Sequence, residues 1–231
     1  MDVGIILAGG QGQRFNSNRP KQFLPLRGIP LLSHSIQVFH DSPFVDAFSV
    51  VARSGWEKEA RRLVNETARE EDNPVVTGGN SRRQSVFEGL KAWENFSPKT
   101  VFIHDGARPG VTLELLERLS EKLNEKKTEC VVPVLPVDDT LKEIDPDTTY
   151  VENTADRERF RRVQTPQVFP YQVIWEAHQS VSGDAEVTDD ASLVEIRGQE
   201  VATVPGDRLN RKITYPEDLP IVERLMEAER P

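Results

Sequence analysis

Val3-Gly4-Ile5-Ile6-Leu7-Ala8-Gly9-Gly10-Gln11-Gly12-Gln13-Arg14 is an apolar run that stops on three glycines within four positions, with Arg19-Pro20-Lys21-Gln22-Phe23 close behind. Residues 2–8 are short, β-branched and apolar, which predicts a fully buried strand ending at the glycines. Glycine has no Cβ, so the chain beyond the strand can bring several backbone N–H groups close to a phosphate. Two cations follow: Arg14 offers a planar fork of donors and Lys21 a compact point charge. A buried strand, a glycine loop and flanking cations together point to a polyphosphate held at the end of a central strand.

Outward from that stretch the chain alternates buried strands with amphipathic helices. A helix is predicted over Leu31 to His40, with Pro30 in its first turn, from the spacing of Leu31, Leu32, Ile36, Val38 and Phe39. Val45 to Ala52 reads as a strand, and Ser54 as the cap of a charged helix running to about Arg69. Val75-Val76-Thr77 is a short strand that stops at Gly78-Gly79-Asn80, ahead of a helix from Ser81 to Trp93. Thr100 to His104 is another buried strand, followed by Asp105-Gly106-Ala107-Arg108-Pro109 and by Thr112, a cap for a helix from Leu113 to about Lys126. Glu129 to Val134 is again a strand. This alternation predicts an α/β fold, a doubly wound, mostly parallel Rossmann-like sheet. Ligands of such sheets bind outside the carboxyl ends of the strands, where the glycine loop, Gly78-Gly79 and Asp105 to Arg108 would converge.

From Val137 to about Val163 the rhythm changes to alternating polar and apolar residues with turn signals at Asp145-Pro146-Asp147, which predicts a projecting β-arm. A two-stranded arm is marginal alone and exposes open edges, so a second subunit is its expected cover. Helices from about Tyr171 and after Thr188-Asp189-Asp190, a strand from Glu200 to Val204 and a last helix from Pro216 complete a single domain with one arm.

The 231 residues suffice for a sizeable core without disulfides or a structural metal. The single cysteine, Cys130, sits in an apolar run and reads as a buried core thiol. No run approaches the ~18 apolar residues of a membrane helix and no signal peptide is evident, so the expected compartment is the cytoplasm, with no membrane partner. A formal net charge of −9 argues against a general nucleic-acid binder, but not against binding a nucleotide.

Leu-Ala-Gly-Gly-x-Gly-x-Arg followed by Pro20-Lys21-Gln22 departs from both the dinucleotide fingerprint and the P-loop. It resembles the nucleotide loop of the sugar-phosphate nucleotidyltransferases. Gly78-Gly79 with Arg82 and Ser85, Asp105-x-Ala107-Arg108-Pro109, and Asp139-Thr140-Leu141-Lys142 narrow the resemblance to the 2-C-methyl-D-erythritol 4-phosphate cytidylyltransferase family. Asp156-Arg157, Thr165-Pro166-Gln167, Thr188 to Ser192 and Asn210-x-Lys212-Ile213-Thr214 follow in family order along nearly the whole chain.

The resemblance implies the nucleotidyltransferase fold and transfer of CMP from CTP to methylerythritol phosphate in non-mevalonate isoprenoid synthesis. It makes Arg14, Lys21 and Lys212 the catalytic cations. It places CTP against Leu7, Ala8, Gly9, Gly10, Gly12, Arg14, Lys21, Gly78, Gly79, Asn80, Ser85, Asp105, Gly106, Ala107 and Arg108. The acceptor falls to Thr140, Arg157, Thr165, Thr188 and Lys212, and Mg²⁺ or another divalent cation to Asp105. It also implies a homodimer in which the arm reaches a partner's site. Chemistry agrees with these assignments: charge builds on the α-phosphate and the leaving pyrophosphate, so preorganised cations suffice. The acceptor phosphate is already ionised, so no histidine is needed; His104 reads as an orienter of its loop, and His34, His40 and His178 as structural. Gly106 stands where many relatives carry alanine, a difference that adds backbone freedom. The Leu7-Ala8-Gly9-Gly10 form also resembles ribitol-5-phosphate cytidylyltransferase, which leaves a second acceptor open. A regulatory module without catalysis would be expected to lose Arg14, Lys21 or Lys212, and all three are present.

Overall fold

The opening run forms strand β1 (Asp2–Ala8), whose side chains are buried alternately on two faces of a sheet. Val3, Ile5 and Leu7 contact one layer of helices, while Ile6 and Ala8 contact the other. This arrangement comes from a computed structural model that describes residues 1–10, 15, 19–68, 73–125, 128–180 and 187–228. Gly12 and Arg14 lie outside the described residues, as do the expected helix ends near Arg69 and Lys126.

A small hairpin, β2 (Pro25–Leu26) and β3 (Ile29–Pro30), leads into α1 (Leu31–Asp41). The order continues with β4 (Ala47–Ala52), α2 (Glu57–Ala68), β5 (Val75–Thr77), α3 (Arg82–Lys91), β6 (Thr100–Asp105), α4 (Leu113–Leu123) and β7 (Val131–Pro136). Then come β8 (Leu141–Ile144), β9 (Val151–Ala155), β10 (Arg161–Val163), β11 (Gln167–Pro170), α5 (Tyr171–Ser180), α6 (Ala191–Ile196), β12 (Ala202–Pro205) and α7 (Asp218–Ala228). The main sheet runs β10-β7-β11-β6-β1-β4-β5, with β12 paired to β7. Pairings of β1 with β4 and β6, of β4 with β5, and of β7 with β12 are parallel.

Helices α1, α2 and α4 cover one face through Leu32, Ile36, Leu63, Val64, Leu115 and Leu119. Helices α3, α5 and α6 cover the other through Val86, Leu90, Ile174, Leu193 and Val194. Each such side chain taken out of water contributes about 1.5–3 kcal/mol, which holds both layers to the sheet. The sheet is doubly wound, and its strand order reverses between β1 and β6. Loops leaving these two strands diverge there and open a crevice.

Four local expectations change. Pro30 precedes α1 as its N-cap residue, at φ −58° and ψ 141°, because it still belongs to β3. Ser54 lies in the turn closed by Trp56 N–H to Arg53 C=O at 2.9 Å, and α2 begins later, at Glu57. Thr165-Pro166-Gln167 opens a further strand, β11, which inserts antiparallel between β6 and β7. The arm is a separate hairpin, β8 with β9, whose chain returns to the main sheet as β10 against β7. Thr112 does cap its helix, accepting Leu115 N–H at 3.2 Å, and Ser81, the expected first residue of α3, serves as its cap by accepting Gln84 N–H at 3.1 Å. Cys130 is fully buried, and burial pushes its thiol pKa up.

Candidate active site

A cleft of about 540 Å³ opens at the carboxyl ends of β1, β4, β5 and β6. Leu7, Gly9 and Gly10 form its floor, Gly78, Gly79, Asn80 and Ser85 one wall, and Lys21, Asp105, Ala107 and Lys212 the other. A larger groove of about 780 Å³, between α1 and α2 near His34 and Leu63, contains none of the expected catalytic, CTP-binding or acceptor residues. Its size is outweighed by its chemistry, since it brings together no glycine loop and no convergent cations.

The glycine wall is built by close approach. Ser81 starts α3, so Ser85 lies one turn in and its hydroxyl donates to Ser81 C=O at 2.9 Å. A Cβ on Gly79 would stand 2.3 Å from Gln84 Cβ, so glycine is needed where the loop after β5 passes the first turn of α3. The backbone of Gly78 and Gly79 is thereby presented to the cleft.

The opposite wall depends on a loop that comes from far along the chain. Residues 207–213 are stitched to the segment after β6. Ile213 N–H donates to Ala107 C=O at 2.8 Å, and the Arg108 guanidinium to Asn210 C=O at 3.0 Å. Asn210 in turn donates its amide to Thr165 C=O at 2.7 Å, and Gln164 donates to Asn210 C=O at 3.0 Å. A Cβ on Gly110 would lie 2.2 Å from Leu209 O, so the two segments meet without room for a side chain. The result places Lys212 Nζ 2.8 Å from Asp105 Oδ2. Lys21, in the single turn Lys21–Phe23, is buried and donates to Ile213 C=O at 2.6 Å.

Asp105 gathers three cations: Lys212 at 2.8 Å, Arg82 at 3.3 Å and Arg108 at 3.8 Å. Burial alone would raise its carboxyl pKa, but Arg82, Lys212 and Arg108 together hold it well below the ordinary carboxylate range. It is a permanent anion in a positive surround. His104 is fully buried, with Nδ1 3.1 Å from the Thr165 hydroxyl and Nε2 3.1 Å from Arg108 O. Burial pushes it down to about 4, so the ring is neutral near pH 7 and orients its loop as expected.

The structure places the remaining candidate residues unevenly. Lys21, Lys212, Asp105, Ala107, Ser85, Asn80 and the glycines at 9, 10, 78 and 79 share the cleft. Ala8, Gly106 and Arg108 lie just behind it. Gly106 reflects packing more than backbone freedom, since a Cβ there would stand 3.0 Å from both Leu7 O and Leu32 Cδ1. Thr165 is buried, and its hydroxyl accepts Asp105 N–H at 3.0 Å, so it fixes the end of β6. Thr188 stands at the head of α6, its hydroxyl 3.5 Å from that of Ser192, while Thr140 and Arg157 lie on the exposed arm. Arg157 donates to Asp138 C=O at 2.7 Å. Sequence reasoning passed over Gln22, Arg53 and Ser54, which also line the cleft. Gln22 stands in the Pro20-Lys21-Gln22 motif but no role was expected of it, and Arg53 and Ser54 went unmarked because the turn after β4 has a single glycine, Gly55 at φ 85°, and no glycine pair. Among the described residues no helix is long and apolar enough to cross a membrane.

The family model for 2-C-methyl-D-erythritol 4-phosphate cytidylyltransferase matches residues 3–228. A protein of that name from Halalkalibacterium halodurans is 39% identical over 228 residues, covering 98% of this chain and 97% of its own. A bifunctional IspD/IspF enzyme from Granulibacter bethesdensis is 40% identical over 224 residues, which make up 56% of that longer protein. Among solved structures, 4-diphosphocytidyl-2C-methyl-D-erythritol synthase from Anaerococcus prevotii superposes with a TM-score of 0.83 at 28% identity, covering 98% of both chains. The Thermus thermophilus cytidylyltransferase does so at 0.78 and 32% identity, covering 98% of this chain and all of its own. A cleft of glycine walls and converging lysines, on a sheet that superposes end to end with these enzymes, leads to one conclusion: the chain belongs to the 2-C-methyl-D-erythritol 4-phosphate cytidylyltransferase family.

Proposed function

We propose that the chain transfers the cytidylyl group of CTP to 2-C-methyl-D-erythritol 4-phosphate, releasing pyrophosphate, as a step of non-mevalonate isoprenoid synthesis. The observation that carries this reading is the meeting of Lys21, Lys212 and Asp105, from three distant segments, beside the Gly9-Gly10 and Gly78-Gly79 loops. An acceptor phosphate oxygen attacks the α-phosphorus, the bond to the β-phosphate oxygen breaks, and negative charge moves onto pyrophosphate. Lys21 and Lys212 stabilise the charge on the α-phosphate oxygens, and Arg14 is assigned to the triphosphate with them. Their positions are paid for in folding, so little reorganisation is needed at the reacting step. The glycine walls, with Ser85 and Asn80, take the cytosine and ribose.

No residue need remove a proton, since a phosphate monoester is mostly a dianion near neutral pH. The neutral, buried His104 accords with this. Asp105 is the acidic side chain lining the cleft, and the described residues hold no group of three His, Cys, Asp or Glu that could form a metal cage. One permanently ionised carboxylate beside the phosphates fits Mg²⁺, which takes one or two carboxylates and completes its shell with phosphate oxygens and water. When bound, the cation neutralises phosphate charge and orients the triphosphate. Asp105 would hold it, and Lys212 can keep one donor on Asp105 Oδ2 and still present its other N–H groups to the α-phosphate.

For the acceptor, Arg157 and Thr140 on the arm, with Thr188 and Lys212, bind methylerythritol phosphate. The arm carries exposed apolar side chains at Ile144, Tyr150 and Val151, with Phe160 and Val163 exposed beside it, which favours a homodimer that covers them and completes each acceptor site from the partner's arm. The deciding experiment measures pyrophosphate release from CTP with each polyol phosphate offered in turn. Turnover with methylerythritol phosphate at least a hundredfold faster than with ribitol 5-phosphate is expected; the reverse preference would replace the acceptor.

A further inference from the structure

Adjacent aspartates at the head of α6 are committed to different partners. Asp189 acts as the cap: Oδ1 accepts Ser192 N–H at 3.0 Å and the Ser192 hydroxyl at 2.5 Å, and Oδ2 accepts the Gln167 amide at 2.6 Å. Gln167, on β11, also accepts Asp190 N–H and Ala191 N–H, both at 3.0 Å. With those backbone donors satisfied, the Asp190 carboxylate makes no capping hydrogen bond. It is 1% exposed, accepts from Arg82 Nη2 at 2.7 Å, and has His178 Nε2 3.8 Å from its other oxygen.

Arg82 lines the nucleotide cleft with its side chain 30% exposed, and its second contact, Nε to Asp105 Oδ1, is longer at 3.3 Å. Taking two charges out of water is a poor way to gain stability, and apolar residues of similar size would hold α3 against α6 at least as well. What the pair does achieve is electrostatic. A guanidinium fork matches carboxylate and phosphate equally, so an Arg82 without Asp190 would close both prongs on Asp105 and expel Lys212, or would turn to the triphosphate. Either move would spoil the arrangement that the transfer needs.

We propose that Asp190 is a positioning residue that holds Arg82 in the cleft wall, off the nucleotide phosphates, and so leaves Asp105 to Lys212. This rests on the reading of the cleft as a CTP site, and the experiment separates the two. CTP affinity is measured by calorimetry without acceptor, and kcat by pyrophosphate release. In Asp190→Asn one positive charge is uncovered beside a tetra-anion, so CTP binds about five- to tenfold more tightly while kcat falls at least tenfold. In Asp190→Asn/Arg82→Gln nothing remains to be restrained, and both quantities return to within about threefold of the parent. A merely structural role gives the opposite sign, weaker CTP binding together with lower kcat, and that result overturns the proposal. So does a double variant that folds but stays as slow as Asp190→Asn. Should the single variant not fold, the double variant, uncharged and close in shape, decides alone by the same criterion. A parent protein that binds no CTP would instead overturn the reading of the cleft.

Discussion

His104 shows how one ring can matter to stability while taking no part in transfer. Its native pKa of about 4 lies below the ~6.5 of an exposed histidine, so the unfolded chain takes up a proton that the native state refuses. Its contribution is complete above about pH 6.5 and is lost as pH falls toward 4, amounting to about 3 kcal/mol over that window. His34, also lowered by burial, adds in the same direction. Asp105 and Asp190 are depressed carboxylates, so their contribution begins to be lost only below about pH 4. Denaturant midpoints of the parent should therefore fall between pH 6.5 and 4, and His104→Gln should flatten that slope; an equally steep slope in the variant would mean the ring is not buried neutral. Lys21 has the opposite character. Lys21→Ala removes a buried cation from the reacting phosphate, and kcat should fall about 10²–10³-fold while CTP still binds measurably. Wild-type turnover in that variant would remove Lys21 from the mechanism.

At the scale of elements, the cleft is held by segments that sequence alone does not join. The strand–glycine signature of β1 and the cap at Thr112 are local, and local chemistry made them legible. So was the buried alternation that called for a doubly wound sheet. Strand β11 was not, because four residues, Gln167–Pro170, next to a proline give almost no period to read. The stitching of 207–213 onto the loop after β6 was equally hidden: Gln164 and Gly110 belong to no motif, and Asn210, although it opens the Asn210-x-Lys212 motif, carries no sign of the loop it binds. Gly110→Ala tests that seam. Its new Cβ would drive against Leu209 O at 2.2 Å, a backbone atom that cannot turn away. The variant should lose about 3 kcal/mol, or roughly 6–12 °C in Tm, and also lose kcat by displacing Lys212. Unchanged Tm and turnover would show that the seam yields easily.

For the whole molecule, the proposed dimer makes a prediction about mixtures. If each acceptor site takes Arg157 from the partner's arm and Lys21 from its own cleft, an Arg157→Ala/Lys21→Ala heterodimer retains one intact composite site. Verified heterodimers should regain up to about half of the parent activity, although each homodimer is slow. No recovery would mean that both residues serve a site within one subunit. The Lys21 contact to Ile213 C=O also has a consequence for how the enzyme comes into being. A ribosome delivers β1, β4, β5 and β6 long before residues 207–213, and a domain generally folds as a unit. The glycine walls therefore face an incomplete cationic side until nearly the whole chain has been made. Lys212 is delivered 107 residues after the Asp105 it pairs with, so a chain cut short before Lys212 has no complete site with which to use CTP.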